Sequence, residues 1–149
     1  MTSDTTSVTV LNTLIATLLD SIEGYQKSAE DVDNQRFAEL FHERARERQQ
    51  VVTKLQAAVA MLGGTPEDDS STMGGVHRVF VDLKAAVMGR DDKAIVNEVE
   101  RGEDYLKEKF EAARDESGLA PEARNAINEA WGSVKSGHDQ MRDLKHGLA

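Results

Sequence analysis

The sequence predicts an all-α fold: four long antiparallel helices forming a bundle, with an extra short helix in the crossover between the second and third. Three observations carry this. Apolar residues recur at helical spacing along most of the chain, no strand-like alternation of any length interrupts them, and the punctuation falls at a few glycines and at Pro66 and Pro121.

The first helix opens in the polar run Ser3-Asp4-Thr5-Thr6-Ser7, which offers several N-cap candidates. It carries Leu11, Leu14, Ile15, Leu18, Ile22, Tyr25 and Ala29 on one stripe. A break is expected at Asp31-Val32-Asp33-Asn34-Gln35. The second helix then presents Phe37, Leu40, Phe41, Ala45, Val52, Leu55, Val59 and Leu62. Gly63-Gly64-Thr65-Pro66 ends it, because glycine accepts a left-handed turn and proline cannot continue a helix. After the polar loop 67–75, Val76, Phe80, Leu83 and Val87 mark the short crossover helix, which closes at Gly89. Asp91 and Asp92 open the third long helix, with Ile95, Val99, Gly102, Leu106, Phe110 and Ala113 in phase. Gly118 closes it, and Pro121 starts the last helix in its first turn. That helix shows Ile127, Ala130, Trp131, Val134, His138, Met141 and Leu144, and its basic last turn of Arg142, Lys145 and His146 suits the negative end of the helix dipole. Short connections make antiparallel pairs of helices one and two and of three and four, while the long segment between the pairs suits a crossover.

A chain of 149 residues is read as one domain, 1–149. Its net charge of −9 argues against nucleic acid as a partner, since that binding is driven by an excess of lysine and arginine. Zero cysteines exclude disulfides, thiolate-held metal and thiol catalysis. The N-terminal stretch has no basic region and its apolar residues are spaced, so it reads as neither a signal peptide nor a membrane span, and the expected location is the cytoplasm.

The segments "FHERARERQQVVTKLQAAVAMLGGTP", "GGVHRVFVDLKAAVMGRDD" and "EVERGEDYLKEKFEAA", with "LNTLIATLLDSIEGYQKSAEDV" and "VKSGHDQMRDL", carry a resemblance over nearly the whole chain. The sequence resembles the PA2169-type four-helix-bundle protein family, a bacterial domain of unknown function in the ferritin-like group. What the resemblance implies is a ferritin-like bundle and a bacterial source, with no established reaction.

Ferritin-like membership raises the question of a di-iron or di-manganese centre. Such a site takes a Glu from each of two helices and a Glu-x-x-His from each of the other two, all pointing inward. Glu39-Leu40-Phe41-His42 has the spacing, but counting about 100° per residue puts both ligands on the side away from the apolar stripe. Asp20 and Glu23 of the first helix are likewise expected to face away from the core. His138 lies in the stripe of the last helix, yet Lys135 stands where the motif needs Glu. On the third helix Glu103 is at the edge of the apolar arc and Glu100 is expected to face water. Glu103, His138 and Glu47 are therefore the only metal candidates, too few for six ligands.

Arg44 and Arg48 fall in the middle of the second helix's apolar stripe. A buried guanidinium needs a counter-charge, and Glu103 is the obvious one, with Glu47 and Glu98 behind it. The sequence thus predicts a buried polar network of Arg44, Arg48, Glu103 and His138 where a ferritin-like protein would hold iron. The functional reading is a non-enzymatic bundle acting through protein contacts, in a stress-related setting by family analogy, with no catalytic residues and no cofactor. The rival reading is a metal-binding oxidoreductase or iron-handling protein. Leu19, Val51 and Val96, apolar but outside the stripes, are the expected surface of a homodimer.

Overall fold

The computed structural model describes residues 2–68 and 91–147, and among these every regular element is an α-helix. The helices are α1 (Thr2–Asp31), α2 (Gln35–Met61), α3 (Asp92–Asp115) and α4 (Pro121–Gly147). The short crossover helix expected near 76–89, with His77 and Arg78, lies outside the described residues.

Local chemistry sets the helix ends. Asn34 is the N-cap of α2, its side-chain oxygen accepting from the backbone N–H groups of Arg36 and Phe37 at 2.9 and 3.3 Å. At the other end Gly63 turns left-handed at φ 82°, and its N–H and that of Gly64 donate to the carbonyls of Ala60 and Val59. This is a Schellman closure, which satisfies carbonyls the helix itself leaves unpaired. Asp91 caps α3 by accepting from the Ala94 N–H, and Gly118, at φ 80°, follows its end. The Arg124 guanidinium then reaches back from α4 to the carbonyls of Arg114 and Glu116, so the start of α4 closes the end of α3.

Three side-chain anchors fix the helix directions. The Asn12 amide of α1 holds both Thr65 O and Glu67 N, just past the end of α2. Ser7 Oγ accepts from Ala120 N, just before α4. Asp92, at the start of α3, accepts from the N–H groups of Asp33 and Asn34, in the turn between α1 and α2. So α2 ends and α4 begins near the N-terminal end of α1, whereas α3 begins at the opposite end. Helices α1 through α4 therefore run up, down, down, up.

Around the bundle α1 neighbours α2 and α3, and α4 neighbours the same two. Helices α2 and α3 stand on a diagonal, and no Cα of one comes within 8 Å of a Cα of the other. Most of the core is apolar, with Leu11, Ile15, Leu18, Phe41, Leu55, Val99, Leu106, Phe110 and Val134 all out of contact with solvent. Burying a side chain of this size fully is worth about 1.5–3 kcal/mol. Helix α1 between Asp4 and Asp31 is long and apolar enough to cross a membrane, the one such helix among the described residues, and half of its 18-residue apolar window is buried inside the bundle.

Two expectations about exposure need correcting. Asp20 is buried, not outward-facing, because α1 is covered round most of its circumference from Thr17 to Tyr25 rather than along one stripe. Val51 and Val96 are also buried and belong to the core, and Leu19 packs against it, so they do not form an exposed contact surface. Glu23, Glu39 and His42 are exposed.

Candidate functional site

The centre of the bundle is polar, and each helix supplies a part of it. Arg48 of α2 is fully buried and points along the diagonal toward α3. Its two terminal nitrogens donate to the two carboxylate oxygens of Glu103 at 2.8 and 2.7 Å, a two-point ion pair with Glu103 only 2% exposed. The planar guanidinium fork matches a carboxylate in this way and a lysine would not. From α1, Ser21 Oγ accepts from Arg48 Nη1 at 2.9 Å, and the Tyr25 ring lies 5.8 Å from the guanidinium carbon, within cation–π range. From α4 comes Gly137. A Cβ at that position would sit 2.3 Å from Arg48 Nη2 and 3.1 Å from Glu103 Oε2, so the missing side chain is what lets the α4 backbone cover the pair.

The charges respond to this packing. Burial works against the Arg48 charge, but the Glu103 carboxylate more than offsets it, and the guanidinium holds its proton more tightly than an exposed arginine. Burial pushes the Tyr25 phenol well above its ordinary value, and the Glu103 charge adds to this, against a smaller lowering by Arg48.

A second polar group lies one turn away. Arg44 donates to Glu47 Oε1 and to Gln140 Oε1, both at 2.6 Å, tying α2 to α4. The Ser133 hydroxyl donates to the same Glu47 oxygen in a short hydrogen bond. Burial raises the Glu47 carboxyl, yet the Ser133 hydroxyl and the Arg44 charge outweigh it and hold the group below its ordinary value.

His138 has a different set of partners. Its Nε2 is 2.6 Å from Asp104 Oδ1 on α3 and its Nδ1 is 3.2 Å from Asp139 Oδ1. The residues read from the sequence thus divide into three groups: Arg48 with Glu103, Arg44 with Glu47, and His138 with Asp104. Glu98, its side chain 17% exposed, pairs with the exposed Arg101 on its own helix at 2.8 Å. Glu100 does not face open water. Its side chain is 12% exposed and ion-paired with Lys145 at 3.4 Å, because α4 packs over that side of α3.

Glu103, His138 and Glu47 do not converge on a common point that a metal could occupy. Glu103 gives both oxygens to Arg48, and Glu47 gives one oxygen to both Arg44 and Ser133. A guanidinium at the centre of the bundle repels a cation, and this donor set does not fit a di-metal centre. Ser21, Ser133, Gly137, Gln140 and Asp104 have no counterpart in the sequence reading. The signal that points to Gly137 is its place in a helix interior, where glycine costs about 1 kcal/mol against alanine.

Fold and centre together define a class: four-helix bundles whose middle is occupied by a buried arginine–glutamate pair. Residues 6–116, spanning most of α1 and all of α2 and α3, match the sequence profile of the family described as a domain of unknown function, DUF2383, and the chain belongs to that family. No curated protein matches the chain. The family match includes Ser21, Tyr25, Arg44, Arg48 and Glu103, whereas α4, with Gly137 and His138, lies beyond it.

Proposed function

We propose that this chain is a ferritin-like bundle that has no metal centre in its core and acts as a non-catalytic, protein-contacting module in the bacterial cytoplasm. The observation that carries the reading is the Arg48–Glu103 pair. It occupies the middle of the bundle, where ferritin-like relatives would gather carboxylates around two cations, and brings a fixed positive charge there instead. The up, down, down, up course of the helices supports the ferritin-like assignment. The bacterial source and the stress-related setting follow from the family resemblance alone.

Metal analysis of the chain, purified without chelator, tests this reading when it is repeated on the double variant Arg48→Met/Glu103→Leu. The expected outcome is a metal content that the double substitution leaves unchanged. Two equivalents of iron or manganese per chain that disappear with Glu103 would overturn it and restore the oxidoreductase or iron-storage reading.

A further inference from the structure

Three potential ligands meet at the seam between α3 and α4, outside the central pair. Glu100 and Asp104 are one helical turn apart on α3 and so share a face. His138 comes from α4, opposite them. One ligand atom from each of the three lies within 4.8 Å of the others, near enough for side-chain rotation to close them round one ion. The environment is graded: His138 is 8% exposed and Glu100 12%, while Asp104 is 50% exposed and leaves a way in from solvent.

The chemistry of the set is mixed. Two carboxylates and one imidazole suit a divalent first-row cation such as Zn²⁺ or Mn²⁺, and one imidazole among oxygens favours these over Mg²⁺ or Ca²⁺. Asp139 approaches His138 Nδ1, on the far side of the ring from the site, and this leaves Nε2 as the ligand nitrogen. A carboxylate behind a metal-binding histidine fixes both its tautomer and its direction. Glu103 sits between Glu100 and Asp104 in sequence but turns inward to Arg48, so this seam and the bundle centre are separate places.

We propose that Glu100, Asp104 and His138 bind one divalent transition cation of the Zn²⁺ or Mn²⁺ class, clamping α3 to α4. Without the ion, His138 Nε2 lies 2.6 Å from Asp104 Oδ1, and Lys145 stands 3.4 Å from Glu100. The cation takes the place of both contacts, engaging the Nε2 lone pair and the two carboxylates, and the Lys145 amine, whose side chain is 40% exposed, swings out.

Calorimetric titration of the chelator-stripped full chain with ZnCl₂ and with MnCl₂ tests this. One equivalent of at least one of the two cations is expected to bind saturably. Asp104→Asn should weaken that binding at least tenfold, and as a half-exposed position it keeps the fold, to be verified by circular dichroism. Lys145→Ala removes the competing amine and should tighten binding severalfold. His42→Gln, which alters the exposed Glu39-x-x-His42 pair on α2, should change nothing. Absence of saturable binding by either cation overturns the proposal, as does binding that is indifferent to Asp104→Asn or that is lost in His42→Gln. The double variant at Arg48 and Glu103 keeps this binding, so the fates of the seam site and of the reading of the bundle centre are told apart.

Discussion

Arg48 and Glu103 meet across the diagonal of the bundle, joining two helices whose Cα atoms nowhere approach within 8 Å. Two charges removed from water gain from each other only while both are present, and the loss of one leaves the other buried and uncompensated. Glu103→Gln is therefore expected to lower unfolding free energy by about 3–5 kcal/mol, measured by urea titration. Arg48→Met/Glu103→Leu removes both charges and should fall within about 1 kcal/mol of the parent chain or above it. A double variant as unstable as the single one would show that the pair contributes more than mutual neutralisation.

The Tyr25 phenol makes the same centre sensitive to alkali. Its folded pKa lies above the unfolded value of about 10. Once pH passes about 10, the folded chain holds a proton that the unfolded chain releases, so stability declines as pH rises from there toward the folded pKa. Tyr105→Phe leaves Tyr25 as the sole tyrosine of the two. In that variant, phenolate absorbance at 295 nm should appear together with the loss of helical circular dichroism. Ionisation of a still-folded chain near pH 10 would contradict the environment described for Tyr25.

Most of the fold was legible because its boundaries are chemical. The break at 31–35, the left-handed Gly63 and the opening at Pro121 each follow from a residue that can do little else there. The phase of α3 also showed that Glu103 could turn inward. Phase counting failed for Asp20 and Glu100 because it assumes a single buried stripe, whereas α1 is covered on several sides and α4 lies over Glu100. Asp104 and Gly137 were illegible for another reason. Their roles depend on the axial register of α3 against α4, and register is a property of the assembled bundle that no single helix's periodicity contains.

Glu47 gives a smaller, acid-sensitive effect. Its pKa is held below the ordinary value, so its contribution to stability is present above about pH 4.5 and disappears as pH falls through the folded pKa. With 42% of the side chain exposed, water screens much of the attraction to Arg44. Glu47→Gln should therefore cost about 1 kcal/mol or less at pH 7. Urea titrations at pH 7 and pH 3 should show the difference between the two chains narrowing at the lower pH. A widening would assign the stabilisation to the protonated carboxyl.

Gly137 provides the strictest test of the central packing, because helix propensity and steric fit point in opposite directions there. Alanine in a helix interior is ordinarily better than glycine by about 1 kcal/mol. At Gly132, five residues earlier on α4, an added Cβ meets nothing within 4 Å, and Gly132→Ala should gain up to about that amount. At Gly137 the same methyl group would lie 2.3 Å from Arg48 Nη2. That nitrogen ends a side chain that is flexible elsewhere, but here it is fully buried and pinned to Glu103, so relief requires the ion pair to shift or α4 to move outward. Gly137→Ala should consequently lose about 1–3 kcal/mol, the usual cost of overpacking. Parallel thermal melts of the two variants read the contrast directly, with opposite signs expected. If Gly137→Ala is stabilising like Gly132→Ala, the guanidinium has room to yield and α4 does not close over the pair as described.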